Sequence, residues 1–188
     1  MGDDLPHDLL PQLLEKGKEY GVRDIVPFRV DAIVLGEWVQ LKCRYGCNRY
    51  NTSWCCPPAT PGTETVRRIL KDYKWAFLLV GNHSFQEFYS NNSLKRARQV
   101  RYWKGAVSLE RLVFLKGYYK AFSLVSVCCA LCKICAYPDK CLFPQEKRPS
   151  VESFSIDVIG TLKNIGLTPS VAKQTKDAVD YYSILLLQ

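Results

Sequence analysis

The hydrophobic residues at the start of the chain recur at helical spacing. In residues 8–20 the leucines of LLPQLL fall on one face, and Gly21 follows. This pattern predicts an amphipathic helix that ends before the glycine. The next stretch, DIVPFRVDAIVLG, is rich in β-branched residues and predicts a strand over residues 28–35, with Pro27 at its beginning.

Further along the chain, helical and strand patterns alternate. PGTETVRRILKDY predicts a helix with Thr63 as its N-cap, and the continuous apolar run KWAFLLVGN predicts a buried strand. Residues 91–119 carry a long helical pattern, which we expect to break near Gly105. AFSLVSV predicts another buried strand that leads directly into a cysteine-rich segment.

The end of the chain continues this alternation. Residues 156–165 predict a short helix before Gly166, residues 169–178 predict a polar helix, and YYSILLL predicts a final strand. Such alternation favours one α/β or α+β domain over residues 1–188, with a mixed or mostly parallel sheet of about four strands flanked by helices. The two cysteine-rich segments follow strands, where open sheets usually place their binding sites.

The composition fits one well-buried domain. Of the 188 residues, 47% are hydrophobic, yet no apolar run approaches the roughly 20 residues that span a bilayer. The N-terminus begins with acidic residues, unlike a signal peptide, so we expect a cytoplasmic protein. The formal net charge of +8 and the pI near 9.0 suggest an acidic partner, such as a redox protein, nucleic acid or a membrane surface. Buried anionic metal sites would neutralise part of this basic excess.

Nine cysteines change this picture. The cytosol keeps thiols reduced, so a cysteine-rich chain there is more often metal-binding or catalytic than cross-linked by disulfides. An odd number of cysteines also leaves one thiol without a partner. Only two histidines, His7 and His83, are present. Any metal site with several ligands must therefore be built mostly from sulfur.

The second cysteine segment, CCALCKICAYPDKC, carries the sharper signal. Its spacing is Cys-x2-Cys-x2-Cys-x5-Cys, over Cys129, Cys132, Cys135 and Cys141. A zinc ion usually takes two Cys-x2-Cys pairs that are far apart in sequence. An iron–sulfur cubane is a larger body, and a single loop can enclose it with one cysteine at each corner. These four cysteines predict a [4Fe–4S] cluster, with zinc or a set of small buried thiols as the alternatives.

The first cysteine segment, CRYGCNRYNTSWCCPP, gives a weaker signal. It offers three candidate metal ligands: Cys43, Cys47 and Cys56. Radical S-adenosylmethionine enzymes also use three cysteines, but with the spacing Cys-x3-Cys-x2-Cys, so we exclude that class. A residue before proline is extended, and neighbouring side chains in an extended chain point opposite ways. We therefore expect Cys56 to be the ligand and Cys55 to face the core, and by the same reasoning Cys128 to be a spare beside Cys129.

Three stretches follow one another in order: LKCRYGCNRYNTSWCCPPATP, ERLVFLKGYYKAFSL and CALCKICAYPDKCLFPQEKRPSVESFSIDV. Together they resemble a family of predicted metal-binding proteins, domain of unknown function 2284. The family's cysteines fall on the seven candidate ligands, and Cys55 and Cys128 are extras. The resemblance implies iron–sulfur or other metal binding, typical of anaerobic prokaryotes, and no particular reaction. Members often carry Cys-Gly-Ile-Asp where this chain has Phe154 to Asp157, so a ligand or redox thiol there would be lost.

Two other features are candidates for binding. LKRARQVRYWK, residues 94–104, mixes basic residues with Tyr102 and Trp103. Such a pattern is found where proteins bind nucleic acid or an acidic partner. It is more often a solvated helix face with its aromatic residues turned inward, and nucleic-acid binding is not expected here. His83 follows a predicted strand and is a candidate fourth ligand for the three-cysteine site.

Three functions are compatible with the sequence, and we favour the first. It is electron transfer to an acidic partner protein by one or two [4Fe–4S] clusters, with Trp54 and Tyr45 shielding the first-segment cluster. The second is an enzyme in which an iron bound by only three cysteines performs Lewis-acid, sulfur-transfer or reductive-activation chemistry. Glu152 and Asp157 do not form a convincing acid–base pair for it. The third is a zinc-stapled binding module.

Overall fold

The structure is a computed structural model that describes residues 7–84, 93–169, 174 and 177–188. Within these residues four strands form one sheet: β1 (Asp24–Arg29), β2 (Trp75–Ser84), β3 (Phe122–Leu124) and β4 (Ala178–Leu187). The helices around it are α1 (Leu9–Lys18), α2 (Glu37–Gly46), α3 (Thr63–Leu70), α4 (Ser93–Leu115) and α5 (Val158–Asn164). Two short 3-10 helices cover Val30–Ala32 and Glu152–Phe154.

The sheet is antiparallel throughout its four strands, which makes the fold α+β and corrects the expectation of a mixed or mostly parallel sheet. The strand order is β1-β2-β4-β3, and each neighbouring pair is antiparallel. β2 and β3 run in the same direction and are connected through α4, as in a parallel crossover. However, β4 lies between them and pairs with both. The alternation of helices and strands does not reveal this insertion.

Both faces of the sheet are covered, which explains the continuous apolar runs in β2 and β4. Phe77 and Leu79 belong to a core cluster that also contains residues of α1 and α4. Ala76 and Leu78 belong to a second cluster that contains residues of α3 and α5. Strands buried on both faces lose the apolar–polar alternation of half-exposed strands. Such runs are typical of parallel sheets, and here an antiparallel sheet has the same pattern.

Most predicted elements agree with the structure, and β1 is the main exception. The predicted strand over residues 28–35 is wrong, because β1 ends at Arg29 and contains Pro27 in its interior. β1 is an edge strand that pairs only with β2. Pro27, which has no backbone N–H, is tolerated there, because half of the backbone N–H and C=O groups of an edge strand point away from the sheet and have no partner strand.

The long helix α4 is continuous through Gly105, so the predicted break at this glycine is wrong. A Cβ atom at Gly105 would lie 2.4 Å from the Cβ atom of Tyr20, just after α1. Real Cβ atoms do not approach this closely. The glycine therefore allows α4 to pack tightly against the end of α1.

Three other segments differ from expectation or lie outside the description. The strand predicted in AFSLVSV is limited to Phe122–Leu124. Helix α2 was not predicted, although Trp38, Leu41 and Tyr45 recur at helical spacing; these side chains are exposed, and Val39 is the buried residue of the helix. The predicted helix over residues 169–178 lies mostly outside the described residues. Among the helices that are described, none combines the length and the apolarity that a membrane span needs.

Candidate metal centre

The two cysteine segments meet beyond the carboxyl end of β3. Cys128 and Cys129 follow this strand after a bend at residues 126–128. The first segment approaches from α2, whose last turn carries Cys43, and Cys47 follows directly after the helix. Backbone hydrogen bonds hold the turns after Cys47. In one of these bonds, the N–H group of Asn51 donates to the Pro57 carbonyl at 2.8 Å.

Four candidate ligands lie around one cavity, here termed the loop cavity. Its walls include the four cysteines of the second segment, Cys129, Cys132, Cys135 and Cys141. Arg49, Trp54 and Cys55 from the first segment complete much of the wall. The cavity has a volume of about 20 Å³. The structure thus brings together the four cysteines that the spacing singled out.

A second and larger cavity, here termed the helix cavity, lies beside α2. Cys43, Cys47 and Cys56 line it, so the three candidate ligands of the first segment also share one space. Cys128 lines the same cavity and is a wall residue of the loop cavity as well. The helix cavity has a volume of about 620 Å³.

The cysteines line cavities rather than converging on one point. Among the described residues, no group of three or more His, Cys, Asp or Glu side chains could hold a metal ion as it stands. His83 was a candidate ligand for the first segment, but its side chain is outside the part of the chain that the structure describes.

Adjacent cysteines separate between the two cavities. Cys55 is buried in the core, as expected, and lines the loop cavity, whereas Cys56 lines the helix cavity. Cys129 lines the loop cavity, and Cys128 reaches both. That Cys128 is a spare residue beside Cys129 stays a prediction. In each pair one cysteine lines the loop cavity and the other lines the helix cavity, and Cys128 lines the loop cavity as well.

The loop cavity stabilises a thiolate at Cys129. The Cys55 thiol donates a hydrogen bond to the Cys129 sulfur, and this bond is the main reason why the pKa of Cys129 is lowered to about 7. The Leu131 backbone N–H and the charge of Arg49 lower the same pKa further. The shared hydrogen bond also raises the pKa of Cys55, together with burial. Cys55 is thus a neutral donor beside a candidate ligand.

Two thiols that line the helix cavity, Cys56 and Cys128, have raised pKa values. Burial is the main cause that raises the pKa of Cys56 to about 12, and the nearby thiols of Cys128, Cys47 and Cys43 raise it further. Burial also raises the pKa of Cys128, an effect that the charge of Arg49 partly offsets. A metal would have to displace protons from these thiols to bind.

Arg49 is the cation shared by the two cavities, and the sequence analysis missed it. It lines both of them, and its backbone N–H donates to the Cys47 sulfur at 3.4 Å. A positive side chain and N–H···S bonds are features that stabilise anionic metal–thiolate groups. In the sequence this arginine was one of many basic residues, and nothing in the pattern distinguished it.

Trp54 connects the two cysteine segments. Its indole N–H donates to the Asp139 carbonyl at 2.8 Å, and its ring contacts Tyr137 edge to face at a centroid distance of 5.0 Å. Trp54 therefore shields the loop cavity, whereas we expected it to shield the first-segment site. Tyr45, the other candidate shield, is 77% exposed.

A buried ion pair anchors the chain that follows the second cysteine segment. The Arg148 guanidinium donates to the two Glu110 carboxylate oxygens at 2.8 and 2.6 Å. Only 14% of the Arg148 side chain and 11% of the Glu110 side chain are exposed. Glu110 also accepts a hydrogen bond from the Ser123 N–H at 2.8 Å, which ties α4 to β3.

The next two residues after Arg148 hold the cysteine segments together. The Pro149 carbonyl accepts a bond from the Val125 N–H at 2.9 Å, beside β3. The Ser150 N–H donates to the Cys55 carbonyl at 3.2 Å. Residues 148–150 therefore connect the first cysteine segment to the strand that leads into the second one.

The basic segment of α4 is largely structural. Tyr102 and Trp103 are buried, and their polar groups donate to the Leu79 and Glu146 carbonyls, respectively. These rings cannot stack on nucleic-acid bases. Arg96 donates to the Leu131 carbonyl at 2.9 Å and so supports the second cysteine segment.

The carboxylates near the helix cavity have separate environments. Asp157 caps α5 by accepting a bond from the Gly160 N–H at 2.9 Å. Burial raises the pKa of Glu152. Phe154, at the position where family members often carry cysteine, is buried in the core cluster on the α3 and α5 side of the sheet.

The comparison with protein families agrees with this arrangement. The family described as "Predicted metal-binding protein (DUF2284)" matches residues 27–187, which include both cysteine segments. The chain belongs to this family. No match was found among curated proteins or among solved structures. Membership supports metal binding and leaves the metal unspecified.

We expect Glu110→Ala to lower the free energy of unfolding by about 3–5 kcal/mol, because it leaves the buried Arg148 without its partner. Urea denaturation followed by circular dichroism measures this change. The matched control is Glu64→Ala, which breaks an exposed pair with Arg67 and should cost no more than about 1 kcal/mol. Equal losses in the two variants would contradict the role assigned to the buried pair.

We expect Cys129 to react at lower pH than Cys128 and Cys132 in reduced, metal-free protein. Its iodoacetamide alkylation should have a midpoint near pH 7, because the hydrogen bond from Cys55 lowers its pKa to about 7. Cys55→Ala removes the donor and should move the midpoint upward. Mass spectrometry of the alkylated peptides measures each cysteine separately.

Cys132 serves as the internal control for this titration, because burial and the neighbouring thiols raise its pKa. It should be alkylated at higher pH than Cys129. Identical profiles for the two cysteines, unchanged by Cys55→Ala, would exclude the hydrogen bond as the cause.

Proposed function

We propose that this protein binds a [4Fe–4S] cluster in the loop cavity and transfers electrons to an acidic partner protein. The observation that carries the proposal is the placement of Cys129, Cys132, Cys135 and Cys141 around one cavity, all from one short loop. Four thiolates at a regular spacing are the usual ligand set of such a cluster. When bound, the cluster supplies one-electron redox chemistry.

The residues around the loop cavity suit an anionic group. Arg49 contributes a positive charge, and the pKa of Cys129 is lowered to about 7, so that its thiolate forms near neutral pH. Trp54 covers part of the cavity wall and restricts water. Burial, nearby charge and hydrogen bonds to sulfur are the means by which proteins set a cluster's reduction potential.

The surface around the second cysteine segment suits an acidic partner. Ile134 and Leu142 are 87% and 68% exposed, respectively, which is unusual for aliphatic side chains. The exposed residues Lys133 and Lys140 lie next to them in the sequence. A small apolar patch with a cationic border is typical of transient docking surfaces, where charge complementarity accelerates association. The net charge of +8 acts in the same direction.

The two alternative functions have less support. An enzyme with an open iron at Cys43, Cys47 and Cys56 requires that no fourth thiol be available, but Cys128 lines the same cavity. A zinc-stapled module would use the same cysteines of the loop cavity. Zinc and an iron–sulfur cluster differ in their content of inorganic sulfide, so chemical analysis distinguishes them.

We expect protein purified without oxygen to contain iron and acid-labile sulfide, about four of each per cluster, and to absorb visible light that dithionite bleaches. The double variant Cys132→Ala/Cys135→Ala should lose about four irons per chain, because it removes half of the loop-cavity ligands. Cys43→Ala is the control, since Cys43 lines only the helix cavity. It should keep the loop-cavity cluster. A colourless wild-type chain with zinc and no sulfide would select the zinc module.

We expect Lys133→Glu/Lys140→Glu to slow electron transfer from the reduced protein to an acidic [2Fe–2S] ferredoxin by about tenfold at low salt, because it removes electrostatic steering. Stopped-flow absorbance measures the rate, and the salt dependence should weaken in the variant. Lys71→Glu/Lys163→Glu changes the net charge equally at exposed positions outside the second cysteine segment. Equal slowing in both double variants would reject a docking surface around the loop.

A further inference from the structure

Four cysteine thiols line the helix cavity. Three of its cysteines, Cys43, Cys47 and Cys56, come from the first segment, and Cys128 comes from the second. The loop cavity has its own four cysteines from Cys129 onward. The chain therefore has enough cysteines to supply both cavities with four ligands and still leave Cys55 in the core.

The backbone before Cys128 is unusual. Val127 has a φ angle of +58°, in the left-handed region. A β-branched residue rarely adopts this conformation, because its side chain clashes with the backbone. Strained residues of this kind persist where the surrounding structure fixes them, and they cluster at functional sites. At Val127 the turn separates β3 from Cys128 and Cys129, which then diverge toward the two cavities.

A polar group in the helix cavity also indicates a ligand. Ser126 is 3% exposed, it lines the helix cavity, and its hydroxyl has no hydrogen-bond partner among the described residues. Its backbone N–H is satisfied by the Ser183 hydroxyl at 2.7 Å. A buried hydroxyl without a partner is costly. An acceptor in the cavity, such as a cluster sulfide or a cysteine thiolate, would satisfy it.

We propose that Cys43, Cys47, Cys56 and Cys128 form a second, four-thiolate iron–sulfur site in the helix cavity. This inference rests on the proposed function, because it assumes that the protein binds iron–sulfur clusters. It assigns the missing fourth ligand to Cys128 and leaves no iron of this cluster without a protein thiolate. Ser126 donates its hydroxyl hydrogen to a sulfur of the site.

The assignment makes the two sites direct neighbours. Cys128 would bind one cluster and Cys129 the other, and their Cα atoms are only about 3.8 Å apart, as in any trans peptide. The pair Cys55 and Cys56 lies in the same wall between the cavities. Two pairs of adjacent cysteines therefore form the wall between the sites. Because the sites are so close, unpaired spins on two clusters bound there would interact.

The test uses full-length protein purified and reconstituted with iron and sulfide without oxygen. Wild-type protein should contain about eight irons per chain, and Cys132→Ala/Cys135→Ala should keep about four, all in the helix cavity. Adding Cys128→Ala to this double variant should lower the iron content at least twofold, or give the EPR signal of a three-iron cluster after brief oxidation. Adding Cys55→Ala instead is the matched control and should leave the iron content unchanged.

A second measurement does not depend on the folding of variants. In cluster-loaded wild-type protein, Cys128 should resist iodoacetamide, and removal of iron by a chelator should expose it. The EPR spectrum of fully reduced wild-type protein should be broadened by spin coupling, whereas the double variant should give a simple spectrum. Each of these results supports the second site.

Three results would overturn the inference, and they differ from failure of the proposed function. The first is a folded Cys132→Ala/Cys135→Ala protein without iron beside a wild type with about four irons, which keeps the loop cluster and removes the second site. The second is an iron content and an EPR spectrum of the double variant that do not change when Cys128→Ala is added. The third is equal alkylation of Cys128 in loaded and in metal-free protein. Wild-type protein without iron and sulfide would instead remove the proposed function itself.

Discussion

The arrangement of the cysteines depends on hydrogen bonds made by the chain that follows the second segment. The Ser150 N–H holds the Cys55 carbonyl, and the Arg148 guanidinium holds the Glu110 carboxylate within a largely buried pair. These contacts join parts of the chain that are distant in sequence. Because the protein makes these contacts itself, folding already orders the two cysteine segments. The entropy cost of ordering them therefore does not weaken metal binding.

Charge is the second constraint on the site. Burial raises the pKa of Cys56 and of Cys128, so these thiols are neutral in metal-free protein, whereas the surroundings of Cys129 favour its thiolate near neutral pH. Metal binding would then release protons and concentrate negative charge between the segments. Arg49, which lines both cavities, offsets part of that charge. Part of the chain's net positive charge thus neutralises thiolates between the segments, and the rest is available at the surface.

Local sequence patterns predicted most helices and strands but not their arrangement. The continuous apolar run of β2 correctly indicated a buried strand, but a run of this kind does not encode direction, and the insertion of β4 changed the expected pairing. Helix α2 was missed although Trp38, Leu41 and Tyr45 recur at helical spacing, and these side chains are exposed. The spacing of the cysteines selected the residues of the loop cavity. The position of Cys128 depends on the turn at Val127, which no residue-level preference predicts, because valine disfavours that conformation.

The position of β4 in the sheet has a consequence for how the protein matures. This strand pairs with both β2 and β3, yet it follows both cysteine segments in the chain. During synthesis, all nine thiols are therefore outside the ribosome's peptidyl-transfer site before the central strand is made and the sheet can close. In this interval the nascent chain carries unprotected cysteines on an incomplete scaffold. A metal ion that binds before β4 is made meets cysteines on an incomplete sheet, so for this chain metal binding should follow completion of the sheet.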